Sequence, residues 1–288
     1  MGLANNNLST AYYNRLINIG LCLDKPTPII QHHTCRSQDF NNPGYFKLWV
    51  GSAFNGQQLM NDSERLSNNY IFRELDNGNL EFVGEFDQLY LAEDNPWFQS
   101  GYGNSKYKDY YQYSRSKLVV SLEHNCQNGP VLEVGCGIGY VVDLLSKQFP
   151  TLTIDGMDIS GVAIQRANET FPNNRFYECD ISVLENAPQK QYEIVVLNQM
   201  LWYILDNLED AISNCHKLIR DDGFLIISCG FLRGKQRYGA DIVDGCDGLL
   251  MFMKDNYGDT FGLADVQYDH SDTYLLHDGL LLFNKLGA

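Results

Sequence analysis

Along the second half of the chain, short continuous apolar runs alternate with amphipathic stretches, the pattern of buried parallel strands joined by crossover helices. A helix over Lys106–His124 precedes a strand at Val131–Val134, and helix Tyr140–Gln148 leads to strand Thr151–Met157. Helix Val162–Thr170 leads to strand Arg175–Cys179; strand Glu193–Asn198, helix Asn207–Ile219, strand Phe224–Cys229 and helix Ala240–Asp255 follow. Two closing runs, Gly262–Tyr268 and Tyr274–Phe283, are joined through His270-Ser271-Asp272, too short a link for a crossover. They therefore pair antiparallel, with Tyr274–Phe283 inserted beside the parallel strands. The expected fold class is α/β: a doubly wound sheet of seven strands, mostly parallel with one antiparallel strand.

Residues 1–95 read differently. Short apolar runs are broken by Asn, Gly and Pro, with one sharp signal: Tyr70–Leu75, then Asp76-Asn77-Gly78-Asn79, then Leu80–Val83. An Asn-Gly pair between alternating segments predicts a hairpin, because both residues tolerate positive φ. The expected division is a small α+β extension over 1–95 and the main domain over 96–288.

With 288 residues, 44% of them hydrophobic and 20% charged, the composition is that of an ordinary globular chain. The longest apolar runs, Leu249–Met253 and Leu280–Phe283, fall far short of the ~20 residues of a spanning helix, so no membrane span is expected. The N-terminus lacks a secretory pattern, and Asn6 stands where a myristoylation signal requires Ser or Thr, which predicts a cytoplasmic protein. A net charge of −15 opposes nucleic-acid binding. The cysteines form no CxxC pair, and Cys136, Cys179 and Cys229 fall in or just after apolar runs, as reduced buried thiols do. His32-His33-Thr34-Cys35, with Cys22 upstream, fits no zinc spacing, so no metal is expected.

The candidate chemistry starts at Glu133-Val134-Gly135-Cys136-Gly137-Ile138-Gly139-Tyr140, a glycine loop between the first main-domain strand and its helix. Such a loop serves nicotinamide, flavin and S-adenosylmethionine (SAM) sites, or a merely tight turn. Tyr140 occupies the position where the dinucleotide fingerprint needs a small residue, and Glu133 would repel a pyrophosphate but attract a cationic amino acid moiety. Asp158 ends the second strand, where a carboxylate accepts ribose hydroxyls. Cys179-Asp180-Ile181 ends the third, placing a carboxylate and an apolar face where an adenine would lie. Each aspartate alone reads equally as a helix N-cap. Their joint placement at successive strand ends favours a site.

VLEVGCGIGY, TIDGMDIS, FYECDIS, YEIVVLNQMLWYIL and LIRDDGFLIIS together resemble the motifs of class I SAM-dependent methyltransferases over roughly residues 106–286. The resemblance implies a Rossmann-like methyltransferase sheet with SAM as cofactor and S-adenosylhomocysteine as product. It would put Glu133, Gly135, Gly137 and Gly139 around the methionine part, Asp158 and the adjoining Ile159 at the ribose, and Asp180 and Ile181 at the adenine. Asn198 and Gln199 would lie beside the cofactor. DNPWFQSGYG and YYQYSR are similar, more loosely, to nodulation-factor and cell-surface-glycan methyltransferases, which adds Trp97, Tyr111 and Arg115, the last as partner of the methionine carboxylate.

The acceptor is expected beyond the fourth and fifth strands of this sheet. There Trp202 and Tyr203 offer an aromatic floor, and Arg233, Lys235 and Arg237 offer cations for an anionic small molecule such as a phosphorylated or nucleotide-linked sugar. A basic loop that merely offsets acidic neighbours explains those cations equally well. Tyr203, His277 and Asp206 are candidate bases, although a lone strand histidine is more often structural. The alternatives are a non-catalytic SAM-binding module that regulates or assembles, and a protein methyltransferase; a homodimer is compatible with each.

Overall fold

The computed structural model describes residues 69–101, 105–232, 234–270, 273–274 and 276–287. Two short strands open it, β1 (Phe72–Glu74) and β2 (Leu80–Phe82), paired antiparallel with Phe72 opposite Phe82. Helix α1 (Phe86–Ala92), a 3₁₀ turn at Pro96–Phe98 and the long helix α2 (Ser105–Asn125) come next. Then β3 (Val131–Val134), α3 (Tyr140–Gln148), β4 (Ile154–Asp158), α4 (Gly161–Thr170), β5 (Arg175–Glu178) and β6 (Tyr192–Asn198) follow. The chain ends through α5 (Leu208–Leu218), β7 (Ile219–Phe231), α6 (Gly245–Tyr257), β8 (Phe261–Asp269) and β9 (His277–Lys285).

The main sheet has seven strands in the order β5-β4-β3-β6-β7-β9-β8, with β9 antiparallel to both its neighbours and the remaining pairings parallel. Helices bury both faces, which is why these strands read as unbroken apolar runs. Alternate residues go to opposite cores. Val131, Ile194, Val196, Leu280 and Leu282 meet α2, α3 and α4 through Leu118, Leu122, Val142, Leu145 and Ile164. Leu132, Val195, Leu197, Leu281 and Phe283 meet α5 and α6 through Ile212, Cys215, Leu249 and Met253.

Two boundaries differ most from expectation. The fifth parallel strand begins at Ile219 rather than Phe224, because Ile219 pairs with Tyr192 before an irregular turn, and Phe224 re-enters the register opposite Ile194. Asp222 takes a positive φ of 61° in that turn. Helix α6 begins at Gly245 rather than Ala240, because the Gln236 side chain donates to the carbonyls of Tyr238 and Val243 and accepts from Gly245 N, folding the preceding segment into a pinned loop.

The expected hairpin is present and packs onto the main unit. Leu80 N donates to Arg237 O at 2.9 Å. Asp87 of α1 accepts from Ser160 Oγ (2.6 Å) and Val162 N (3.3 Å), reinforcing the N-cap that Ser160 places on α4. Cys22, His32, His33 and Cys35 lie outside the described residues. Among the described residues no helix is long and apolar enough to cross a membrane, and no group of three His, Cys, Asp or Glu is placed to hold a metal.

Candidate functional site

A parallel sheet directs the ends of its strands, and the loops after them, to one edge, and the site is built there. The β3 loop turns sharply: Gly135 N and Cys136 N both donate to Met157 O, at 2.7 and 3.0 Å. Gly137 has φ +52°, and a Cβ there would run into the Gln99 amide and the Tyr90 hydroxyl. Only glycine combines that conformation with so close an approach.

Asp158, at the end of β4, holds this loop from the neighbouring strand. Its Oδ2 accepts from Gly137 N at 2.8 Å and its Oδ1 from Ser160 N at 2.9 Å. Burial pushes its carboxyl up to about 6, against these same N–H groups, which favour the ionised form. Glu133 on β3 is 2% exposed, and burial pushes it up to about 8. Asn198 Nδ2 donates to Glu133 Oε1 at 2.9 Å, while Glu133 Oε2 is buried with no hydrogen-bond partner. Arg115 of α2 adds a cation nearby; burial lowers its own pKa, and its guanidinium lies 5.1 Å over the Tyr111 ring and donates to Gln99 O. Asp180 accepts from the Ser182 amide and hydroxyl, both at 2.8 Å.

These groups line one cleft of about 570 Å3, within the range of small-molecule sites. Glu133, Gly135, Asp158, Ile159, Asp180, Ile181, Asn198, Gln199, Arg115, Tyr111 and Trp97 all border it, as do Trp202, Tyr203 and Arg237. Gly137 and Gly139 shape the loop from behind: Gly139 faces Phe176 and caps α3 with a φ of 84°.

Three expectations require correction. His277 does not border the cleft. Successive residues of β9 face opposite sides. Asp278 points to Lys117 and Tyr110, so His277 turns the other way, against the Tyr268 hydroxyl at 3.0 Å. Tyr203 does border the cleft, but burial raises its ionisation well above the ordinary 10, so it offers no phenolate base near neutral pH. The described cations of the basic loop, Lys235 and Arg237, do not form a free anion site on the cleft. Arg237 pairs with Glu74 at 2.8 Å and donates to Gly78 O, clasping the hairpin, and Lys235 is exposed and off the cleft. Arg233 lies outside the described residues.

The sequence reading missed Gln99 and Tyr90. Gln99 Oε1 accepts from Ile138 N at 3.2 Å and its Nε2 donates to the Tyr90 hydroxyl at 3.3 Å, so the segment before α2 supports the glycine loop. Gln199, with φ +56°, accepts from Gly230 N at 3.0 Å and donates to Ser114 Oγ at 3.1 Å. The hairpin aromatics were missed as well, because a hairpin signal carries no hint of what its side chains face.

Residues 132–225 match the family described as a methyltransferase domain. A malonyl-[acyl-carrier protein] O-methyltransferase from Priestia megaterium is 28% identical over 125 residues, covering 42% of this chain and 45% of that protein. Its counterpart in Bacillus cereus is 33% identical over 100 residues, covering 34% and 36%. The chain thus spans less than half the length of these curated relatives. The solved magnesium protoporphyrin IX methyltransferase from Synechocystis, with bound SAM, aligns with a TM-score of 0.53 at 16% identity, over 82% of this chain and 100% of that chain. N-methyltransferase NodS from Bradyrhizobium japonicum, in complex with S-adenosylhomocysteine, aligns with a TM-score of 0.54 at 18% identity, over 71% and 97%. At those identities the two alignments speak to the fold.

Proposed function

We propose that this chain, which carries a class I SAM-dependent methyltransferase domain, transfers a methyl group to nitrogen or oxygen of a small molecule. The observation that carries the reading is the unpartnered, buried Glu133 Oε2 at the edge of the glycine loop, with Asp158 and Asp180 at the next strand ends. A buried carboxylate oxygen without a partner is costly, and a ligand ammonium group relieves that cost.

The residues fit such a cofactor. Glu133 would hold the α-amino group, Arg115 the carboxylate, Asp158 the ribose, and Asp180 with Ile181 the adenine. Bound there, SAM supplies an electrophilic methyl group on a sulfonium sulfur. The remaining work belongs to the chain. The glycine loop, fixed by Asp158 and Gln99, sets the donor's position, and the aromatic side of the cleft keeps water from the transfer. In-line displacement gains most of its acceleration from that alignment. A pyrophosphate-bearing nucleotide offers no ammonium group at the position where the buried Glu133 Oε2 wants a donor.

The test is calorimetric titration with SAM, S-adenosylhomocysteine and NAD, with Asp158→Ala as control. Binding of the first two alone is expected; binding of NAD alone overturns the reading. Turnover is then screened with a malonyl thioester, the acceptor class in the names of the bacillary relatives, alongside sugar phosphates and neutral ring compounds. No turnover with any class favours the non-catalytic module.

A further inference from the structure

The cleft has two unlike halves. Carboxylates and the glycine loop form one. The other is a wall of six rings: Phe72 and Phe82 from the hairpin, Phe86 from α1, Trp97, Tyr203 and Tyr238. Tyr203 is its hub, with ring centroids 6.0 Å from Phe72, 5.6 Å from Phe86 and 5.6 Å from Trp97. Phe72 lies 5.2 Å from Tyr238. These rings come from elements far apart in sequence, and each is half-buried rather than sealed, so they are not the inward stripe of one helix. Aromatic faces left uncovered beside a cofactor pocket are ready-made contact area for another ring.

We infer that this wall is the acceptor chamber, that it takes a ring-bearing hydroxyl or amino compound uncharged in its reacting form, and that the Tyr203 hydroxyl positions the reacting group. This rests on the methyl-transfer reading above. Among the described residues, charge weighs against an anion. Arg237, beside the wall, is engaged by Glu74 and Gly78 O, and the Tyr238 hydroxyl donates to Asp206 at 2.8 Å, so the borders of the wall carry carboxylates. Arg115 serves the opposite half through Tyr111 and Gln99. A cationic acceptor is opposed by chemistry: the nucleophile needs a free lone pair, and a protonated amine has none. Tyr203 supplies the polar contact, because its hydroxyl has no hydrogen-bond partner among the described residues. Being held neutral, it can donate to or accept from the reacting oxygen or nitrogen without acting as a base. In the transfer, the acceptor lone pair forms the new bond to the methyl carbon, the sulfur keeps the electrons of the broken bond, and the acceptor proton leaves to solvent.

The experiment measures methyl transfer from SAM to 2-naphthol, 2-naphthylamine and glucose 6-phosphate, for the wild type, Phe72→Ala and Tyr203→Phe, with SAM affinity measured on the same samples. Saturable transfer to a naphthyl probe and none to the sugar phosphate is expected. Phe72→Ala should raise KM for that probe at least tenfold, and Tyr203→Phe about fivefold, both with unchanged SAM affinity. If SAM binds but only glucose 6-phosphate is methylated, or neither naphthyl probe reacts, or both variants leave KM unchanged, the inference is overturned. Failure of the wild type to bind SAM overturns the underlying reading, and this one with it.

Discussion

Asn198 donates to one oxygen of Glu133 at 2.9 Å and leaves the other, Oε2, buried without a partner. The amide thereby fixes the carboxylate's orientation without saturating it. Burial raises the Glu133 carboxyl to about 8, with Asp158 adding to the rise and Asn198 and Arg115 opposing it. In the free protein the group is therefore largely protonated at pH 7. Pairing with a ligand ammonium requires the carboxylate, so SAM binding should release a proton and tighten up to about tenfold per pH unit below pH 8. Calorimetry at pH 6, 7 and 8, in buffers of different ionisation enthalpy, would read both effects; pH-independent binding without proton release would refute them.

The same raised carboxyls govern stability. A carboxyl whose folded pKa exceeds its unfolded value contributes stability at low pH and loses it as pH rises through the folded pKa. For Asp158 that loss runs from about pH 4 to 6, and for Glu133 from about 4.5 to 8. Glu133→Gln should consequently stabilise the ligand-free protein relative to the wild type as pH rises through this window, each unit of raised pKa being worth about 1.4 kcal/mol. Urea denaturation at pH 5 and pH 8 compares the two proteins, and an equal difference at both values would count against it.

Asp158 holds the loop and borders the cleft, where we propose it meets the ribose. Asp158→Ala should weaken SAM binding by about 1–3 kcal/mol, roughly tenfold to a hundredfold. Asp158→Asn keeps one acceptor oxygen for the backbone and should lose less stability than the alanine variant. Paired titration and melting curves separate the roles.

Gly137→Ala should destabilise the protein by about 1–3 kcal/mol, because alanine is strained at φ +52° and its Cβ would displace Gln99 and Tyr90. SAM affinity should fall with it. A variant that melts and binds like the wild type would show that the loop is not held as described.

Lys117 and Asp278 form a buried ion pair, 5% and 1% exposed, linking α2 to β9. Lys117→Met strands the carboxylate and should cost about 3–5 kcal/mol, whereas removing both charges with apolar residues should cost less than the single change. Equilibrium denaturation of the single and double variants measures the difference.

Much of this molecule is written locally. Strand β3 and helix α3 fall where the apolar run and the glycines predicted, because burial on both faces demands continuous apolar residues and a left-handed Gly139 starts the helix. The pairing order at the sheet's far edge follows from the short link after β8. The carboxylates at the ends of β4 and β5 were legible for the same reason: strand ends in a parallel sheet share one edge, so spacing along the chain becomes proximity in space.

What the chain alone left undecided depends on direction and distance between elements. Gln99 reaches Ile138, and Asp87 reaches Ser160, across separations that imprint no periodicity on the sequence. Whether Arg237 met a ligand or Glu74, and whether His277 or its neighbour Asp278 faced α2, turned on how the hairpin docks and which side of β9 each residue takes. Sequence pattern determined the sheet and its cofactor edge, because those arise from local burial and turn geometry. Only tertiary packing decided the aromatic wall and the engagement of Arg237 by the hairpin, because non-local contacts assign side chains to partners that no local pattern names.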